Sequence, residues 1–244
     1  MYLNQNSNWQ SRTELLLGQK SVDKLKKSHV LVVGLGGVGA YSAEMLARAG
    51  VGELTIVDGD TVKPSNRNRQ LLALQSTENK LKAELMKERL IDINPEIKIN
   101  VINQFLNEED MRELMEVKYD YVIDAIDTVT PKVSLIVNAV RKNYKLISSM
   151  GAGGRLNPSD IKIVDISETH TCHLARVIRK RLYKHGINRG FDVIFSSETV
   201  NKKAVILIED EINKVSTVGT VSYMPALFGI MAASKVIRKL TGEA

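Results

Sequence analysis

The sequence is poor in cysteine, in aromatic residues and in long apolar runs. Of its 244 residues only Cys172 is a cysteine, which excludes an internal disulfide and a zinc site made of cysteine pairs. The longest apolar stretch, residues 215–237, is interrupted by Pro225 and Lys235. We therefore expect no membrane span, although peripheral contact of this stretch with a membrane stays open. Residues 1–19 are polar and lack the apolar centre of a signal peptide, so we expect a cytoplasmic protein.

The chain nevertheless has enough apolar residues for a folded domain. Its excess of basic residues is compatible with a polyanionic partner. Hydrophobic residues make up 43% of it, Lys and Arg number 34, Asp and Glu number 28, and the net charge is +6. A chain of this length and composition can bury a full core, so we predict a single domain spanning residues 1–244. The positive charge permits a polyanionic partner such as a nucleic acid.

Apolar strands and amphipathic helices alternate between residues 29 and 155, which predicts an α/β protein with a nucleotide-binding core. This alternation favours a doubly wound, mostly parallel, Rossmann-like sheet. Residues 1–28 are predicted to form an N-terminal helical cap and residues 156–244 a C-terminal extension of strands and helices. In that extension we expect a strand at 161–166, a basic helix at 170–184, antiparallel strands at 191–195 and 204–208, a loop at 214–221 and an apolar helix at 224–240.

The first predicted strand runs into a glycine-rich turn that begins a helix. Gly34 can make the tight turn, and Gly36 or Gly37 lets the backbone approach a phosphate. Gly39 allows the helix to pack closely on the strand. A second strand ends at Asp58, and this acid follows the glycine turn at the usual sequence distance for one that binds a ribose hydroxyl. The sequence therefore predicts an adenine nucleotide at this helix N-terminus.

A polar loop at 59–70 follows the second strand, at the edge where open α/β sheets bind ligands. Arg67 and Arg69 are suited to phosphate oxygens, because guanidinium groups match their geometry. An ordinary solvated loop is the alternative. The next helix is expected at 77–93, and Lys82 near its start either lies on the surface or reaches back to the nucleotide.

Asp127 stands at the tip of a buried strand expected at 119–125, and so at the same sheet edge. An acid there binds magnesium or a ribose, or caps the following helix, expected at 131–143. A hydride-transferring dehydrogenase would need an acid–base pair or a Tyr/Lys site beside its nicotinamide, and we find neither. The glycine turn, the arginine loop, Lys82 and Asp127 together favour ATP with a divalent metal, and hence adenylation of a carboxylate.

Several motifs resemble those of the ubiquitin-activating, E1-like superfamily, which includes the activators of bacterial sulfur carriers. They are residues 34–39, 57–60, 65–70, 82–84, 93–95 and 124–127. Within this superfamily the chain is most similar to the tRNA threonylcarbamoyladenosine dehydratases. That similarity rests on residues 124–132, the glycine loop at 151–154 and the end of the basic helix at 179–186. The resemblance covers nearly the whole chain.

The resemblance implies the roles of the site residues. The glycine turn would bind the nucleotide through backbone amides, Asp58 would hold the ribose, and Asp127 would bind Mg²⁺ or orient it. The implied catalytic residues are Arg12, Arg69, Lys82 and Asp127; the implied nucleotide-binding residues are Gly34, Gly36, Gly37, Gly39, Asp58, Ser65, Asn66, Arg69, Lys82, Asp127 and Thr128. Arg12 matches an arginine that relatives insert from the partner subunit of a homodimer. A surface residue is the alternative, and Trp9 replaces the arginine that precedes it in the motif.

The implied reaction is the ATP-dependent cyclisation, by loss of water, of N6-threonylcarbamoyladenosine at position 37 of tRNA. The threonyl carboxylate would be adenylated, and the carbamoyl group of the same side chain would then expel AMP. This needs no enzyme thiol, and we expect Cys172 to be buried or idle. Two alternatives stay open at this point: an adenylating activator of a sulfur-carrier or ubiquitin-like protein, and a non-catalytic nucleotide-binding scaffold.

The basic helix is the predicted contact with tRNA, and a solvated helix face is its alternative. The predicted RNA-binding residues are Arg176, Arg179, Lys180 and Lys184. The resemblance also leaves open a monovalent cation in the loop near Gly151 and a partner from a cysteine-desulfurase and sulfur-acceptor system.

Overall fold

The computed structural model describes residues 9–207 and 216–243. The first residues of the predicted cap, the end of the strand at 204–208 and the start of the loop at 214–221 lie outside this part. The helices are α1 (Ser11–Leu17), α2 (Gln19–Lys26), α3 (Gly39–Ala49), α4 (Lys82–Ile93), α5 (Glu108–Leu114), α6 (Val129–Arg141), α7 (His173–Tyr183) and α8 (Tyr223–Thr241). The strands are β1 (His29–Val33), β2 (Glu53–Val57), β3 (Lys98–Ile102), β4 (Tyr121–Asp124), β5 (Leu146–Ser149), β6 (Ile161–Asp165), β7 (Asp192–Ser196), β8 (Val205–Leu207) and β9 (Ser216–Val218).

The main sheet has the strand order β3-β2-β1-β4-β5-β7-β6. All neighbouring pairs from β3 to β7 are parallel, and β6 lies antiparallel to β7 at one edge. The chain therefore winds outward from β1 in both directions, which confirms the predicted doubly wound fold class. In this register Val33 lies level with Val57 and with Asp124. The loops that follow β1, β2 and β4 therefore meet at one edge of the sheet.

Helices cover both faces of the sheet. Val30 and Val32 of β1 face the core that α3, α4 and α8 complete. Leu31 and Val33 face the opposite core, which α5, α6 and α7 complete. Because both faces are buried, the central strands appear in the sequence as continuous apolar runs.

The C-terminal extension differs from its prediction in two places. The strand expected to be antiparallel at 191–195 is β7, which is antiparallel to β6 but parallel to β5. The loop expected at 214–221 contains strand β9, which pairs with β8 in a separate two-stranded sheet. The loop prediction is therefore wrong for residues 216–218. Polar residues and the nearby Gly219 concealed this strand, which is only three residues long and depends on its pairing with β8.

The helix expected to start at 77 begins instead at Lys82. A 3₁₀ turn covers Gln75–Thr77, and Asn79 then adopts a left-handed φ of 64°. Helical geometry requires a negative φ, so α4 cannot extend back through Asn79.

The apolar residues of α8 belong to the core. Phe228, Ala232 and Val236 are buried, and Gly229 lies directly on α3. A side chain at Gly229 would collide with the Val38 carbonyl, and Ser42 Oγ donates to the Gly229 carbonyl at 3.0 Å. Among the helices of the described residues, none has both the length and the apolar character that a membrane span requires.

Candidate active site

The turn between β1 and α3 is shaped by two glycines that cannot be replaced. Gly34 has a φ of +90°, and a Cβ there would lie 2.7 Å from the Ala125 carbonyl oxygen. A Cβ on Gly39 would collide with the Gly34 carbonyl. Both positions need glycine because the loop after β4 packs against this turn. The predicted tight turn and close helix–strand packing are thus present.

Gly36 and Gly37 occupy the outer part of the turn. A Cβ on Gly36 would have room, with Gln70 Nε2 at 3.7 Å, whereas a Cβ on Gly37 would lie 2.9 Å from Pro225 Cβ. Gln70 Oε1 is buried and has no hydrogen-bond donor within the described residues. An acceptor left unpaired in this position suits a ligand that brings a donor, such as a ribose hydroxyl.

Asp58 lies beside the turn and holds two loops together. Its carboxylate accepts hydrogen bonds from the backbone N–H of Leu35 at 2.6 Å and of Asp60 at 2.8 Å. Burial raises the pKa of the Asp58 carboxyl, and the Lys82 ammonium opposes that rise. The carboxylate is therefore fixed at the end of β2, where the sequence placed a ribose contact.

The arginine loop folds tightly on itself. Pro64–Asn66 form a 3₁₀ turn, and the buried Asn66 accepts from the backbone N–H of Lys63 at 3.1 Å. Arg69 Nη1 donates to the Ser65 carbonyl at 3.0 Å and to Asn68 Oδ1 at 2.9 Å. These bonds position Arg69 while leaving the rest of its guanidinium group available to a phosphate. Arg67 and Ser65 are exposed.

Lys82 is the first residue of α4 and is only 4% exposed. Its ammonium forms an ion pair with Asp60, with 3.0 Å between Nζ and Oδ2. The surface alternative for Lys82 is therefore wrong, and its side chain does reach back to the loop that follows Asp58. A lysine ammonium has three donors, so the Asp60 contact leaves others for a phosphate.

Asp127 is exposed at the tip that follows β4. The helix cap is Thr128, and its side chain makes no capping bond, so the interpretation of Asp127 as the cap of α6 is wrong. In the described ranges no three His, Cys, Asp or Glu residues come together as a metal site. Any divalent metal here would need further oxygen ligands from its substrate.

The sequence model of the ThiF family matches residues 10–244. This chain belongs to the ThiF family. The resemblance seen in the sequence is thereby confirmed.

Two dehydratases are similar to this chain over most of its length. The tRNA threonylcarbamoyladenosine dehydratase of Bacillus subtilis (strain 168) is 44% identical over 204 residues, which cover 84% of this chain and 78% of that protein. The crystal structure of E. coli tRNA N6-threonylcarbamoyladenosine dehydratase in complex with ATP has a TM-score of 0.88 at 34% identity and covers 100% of this chain and 98% of that one.

Another ThiF-family relative is similar over a shorter part. The molybdopterin-synthase adenylyltransferase of Escherichia coli (strain K12) is 35% identical over 151 residues, which cover 62% of this chain and 59% of that protein. The similarity to the dehydratases therefore extends across regions that the similarity to the adenylyltransferase does not reach.

A buried ion pair supports the tip of β4, and the sequence interpretation missed it. Asp124 and Lys132 are both 0% exposed, with 2.9 Å between Oδ2 and Nζ. Ser148 Oγ donates to Asp124 Oδ2 at 2.6 Å, and Lys132 Nζ donates to the Ile126 carbonyl at 2.8 Å. The backbone N–H of Ile126 donates to Asp124 Oδ1 at 3.0 Å. These bonds fix the loop that carries Asp127.

Phe105 is a second residue that the sequence interpretation missed. It follows β3 at the same sheet edge and is 75% exposed. A side chain on Gly59 would lie 2.9 Å from Phe105 Cδ2, so the ring stands close to the loop after Asp58. Its position just after a strand at the ligand-binding edge was the available signal.

Arg12 is not brought to these residues within its own chain. It is exposed on α1, a helix with no buried residue. Gln10, just before this helix, donates to the Ala49 carbonyl at the C-terminal end of α3. The glycine turn lies at the opposite end of α3. Since α3 has 11 residues, the two ends are about 16 Å apart.

The predicted RNA-binding residues lie on α7 in two different environments. Arg176, Lys180 and Lys184 are exposed, whereas Arg179 is partly buried. Arg179 Nη1 donates to the Thr169 carbonyl at 2.8 Å, so this residue also anchors the start of α7. Cys172 precedes α7 and is 6% exposed, which confirms its expected burial.

Proposed function

We propose that this chain is an ATP-dependent tRNA threonylcarbamoyladenosine dehydratase that cyclises the threonylcarbamoyl side chain at position 37 of tRNA. One observation carries the proposal: the glycine turn, Arg69, Lys82 and Asp127 meet at a single sheet edge. The similarity to dehydratases over most of the chain, one of them solved with ATP, supports the proposal that these groups bind a nucleotide.

The nucleotide is held by groups with distinct tasks. The backbone amides of the glycine turn and the N-terminus of α3 bind phosphate. Asp58 and the unpaired Gln70 Oε1 accept hydrogen bonds from the ribose. Phe105 covers one side of the adenine ring. Its exposed aromatic ring stands near Asp58, the residue that binds the ribose, and offers a stacking surface there.

The reaction has two steps. An oxygen of the threonyl carboxylate attacks the α-phosphorus of ATP, and pyrophosphate leaves. The carbamoyl group of the same side chain then attacks the activated acyl carbon, loses a proton and expels AMP. Arg69 and Lys82 stabilise the negative charge that develops on the phosphate oxygens. The sum is removal of one water from the nucleoside and conversion of ATP to AMP and pyrophosphate.

Mg²⁺ is part of the proposal, whereas a monovalent cation is not. Within the described residues Asp127 has no hydrogen-bond partner, and magnesium sites in ATP-using enzymes need only one or two carboxylates besides the substrate phosphates. Bound there, Mg²⁺ would neutralise phosphate charge. A monovalent cation near Gly151 stays a prediction from the resemblance; the carbonyl oxygens of Gly151 and Gly153 in that loop accept hydrogen bonds from Arg155.

We also propose a homodimer in which the partner's Arg12 reaches the phosphates. The support is α1, whose Leu15 and Leu16 are 76% and 83% exposed in the isolated chain. Such leucines favour burial against a second subunit. A sulfur-transfer partner is not needed, since no sulfur moves in this reaction. The tRNA substrate places the reaction in the cytoplasm.

The proposal is tested by incubating the protein with ATP, Mg²⁺ and tRNA that carries threonylcarbamoyladenosine, followed by digestion and mass spectrometry of the nucleosides. The expected product is lighter by one water, and AMP forms in equal amount. Arg69→Ala should abolish both, because the phosphate charge loses its guanidinium partner. Lys20→Ala, a change of an exposed lysine on α2, is the matched control and should keep full activity.

The sulfur-carrier alternative makes the opposite prediction for the same samples. If the nucleoside mass stays unchanged and ATP–pyrophosphate exchange appears only with a small carrier protein, the dehydratase proposal is wrong. A buried Cys172, the sole cysteine of the chain, argues only against the form of that alternative in which the acyl group passes to a thiol of this chain.

A further inference from the structure

The outer face of α7 carries cations without counterions. Arg176, Lys180 and Lys184 follow one another at four-residue intervals and are exposed. Residues at this spacing share one face of a helix, about 6 Å apart along its axis. In the part of the chain that the structure describes, no carboxylate pairs with any of them. The face therefore offers a row of positive charge to a polyanion.

Tyr183 stands in this row and is 72% exposed. Beside its ring lies a cavity of about 250 Å³ near the C-terminal end of α7. The cavity is lined by Ile166, Arg179, Leu182, Tyr183, Ile187 and Asn188. Its site is separate from the nucleotide residues, since α7 extends from the Gly151 loop toward the opposite edge of the sheet.

The chemistry of the cavity is mixed in a way that suits a nucleobase. Ile166, Leu182 and Ile187 are buried and form an apolar floor. Asn188 is exposed at the rim and offers an amide donor and an amide acceptor. Arg179 is held at the rim by its bond to Thr169. Proteins that read RNA stack unpaired bases on aromatic rings and hydrogen-bond to their edges.

We propose that Tyr183 and this cavity bind an unpaired base of the tRNA, while Arg176, Lys180 and Lys184 contact the adjacent phosphates. The inference rests on the proposed tRNA substrate and names the surface that receives it. The N-terminal end of α7 lies beside the Gly151 loop, where Leu174 would contact a side chain placed on Gly151. An RNA whose modified nucleotide enters the active site can therefore continue along α7 for about 16 Å to Tyr183.

The test measures binding of the full-length protein to a fluorescently labelled substrate tRNA by anisotropy, without ATP and at fixed salt. Tyr183→Ala should weaken binding about tenfold, because a stacked base is lost. Tyr183→Phe keeps the ring and should stay within about twofold of the unchanged protein. His185→Ala, an exposed neighbour that does not line the cavity, is the matched control and should bind normally.

Heparin separates stacking from charge, since it is a polyanion without bases. Its affinity should be unchanged in Tyr183→Ala, and tRNA containing 4-thiouridine should cross-link to the Tyr183 peptide. Normal tRNA binding by Tyr183→Ala, or an equal loss in Tyr183→Phe, would overturn the base site. An equal loss with heparin would do the same. Because the assay needs no turnover, failure of the base site and failure of the dehydratase proposal give different results.

Discussion

Charged residues at the nucleotide site and on α7 are held in opposite ways. At the sheet edge the buried Lys82 is paired with the partly exposed Asp60, and Lys132 with Asp124 in a fully buried pair. On α7 Arg176, Lys180 and Lys184 are exposed, and none of the three has a carboxylate partner within the described residues. Paired charges are preorganised, which chemistry on a phosphate requires, because fixed groups need no reorganisation during the reaction. Solvated charges adapt to a large, flexible partner, and their contribution falls as salt rises.

The largest effect is expected when a buried ion pair is broken. Lys132→Ala leaves the fully buried Asp124 without its cation and should destabilise the fold by about 3–5 kcal/mol. The measurement is the midpoint of denaturant unfolding. The double change Asp124→Leu with Lys132→Met should recover much of the loss, because an apolar pair leaves no buried charge.

Lys142→Ala is the control for this prediction. Its ion pair with Glu116 lies on the surface, and such pairs contribute about 0–1 kcal/mol. If Lys132→Ala and Lys142→Ala unfold at the same denaturant concentration, the buried pair does not support the loop as the structure indicates.

An intermediate effect is expected at Lys82, where the fold and the chemistry meet. Lys82→Met keeps the volume but removes the ammonium, and kcat for cyclisation should fall by about 10²-fold or more. The affinity for tRNA should not change, because Lys82 is buried away from α7. Steady-state kinetics and tRNA anisotropy measure the two quantities. Lys80→Ala, an exposed lysine two residues earlier, should leave both unchanged; a parallel loss of tRNA affinity in Lys82→Met would contradict this separation.

The smallest effect is expected when one exposed cation of α7 is removed. Lys180→Ala should weaken tRNA binding about threefold near physiological salt and leave kcat unchanged, because one phosphate contact is lost. A plot of log affinity against log salt should become less steep by about one unit. Lys20→Ala on α2 provides the comparison at another exposed lysine. An unchanged salt slope in Lys180→Ala would show that α7 is only a solvated helix face.

Much of the nucleotide site was predictable because its residues follow strands directly. Gly34 and Asp58 stand at the ends of apolar runs, and in a parallel sheet this alone places them at the ligand-binding edge. The glycine turn, the arginine loop and Lys82 were therefore assigned to one site before any contact was known. The sequence does not decide whether Lys82 is buried, because a lysine near a helix start fits a surface position equally well.

What could not be predicted depends on contacts that form only in the folded chain. Lys132 pairs with Asp124 only because α6 turns its first residues back over β4. Phe105 gains a role from its position next to Gly59, forty-odd residues away in sequence and adjacent in space. Strand β9 exists only beside β8. Local propensity carries no information about such partners.

The close fit of α8 against the glycine turn has a consequence for synthesis of the chain. Pro225 lies on Gly37, and Gly229 on the segment that begins α3, so residues near position 37 are completed by residues made roughly 190 positions later. At about 5–20 residues per second the ribosome needs on the order of 10–40 s to supply them. During that interval the apolar face of α3 is uncovered in the nascent chain. A chaperone that binds exposed apolar surface can therefore bind there.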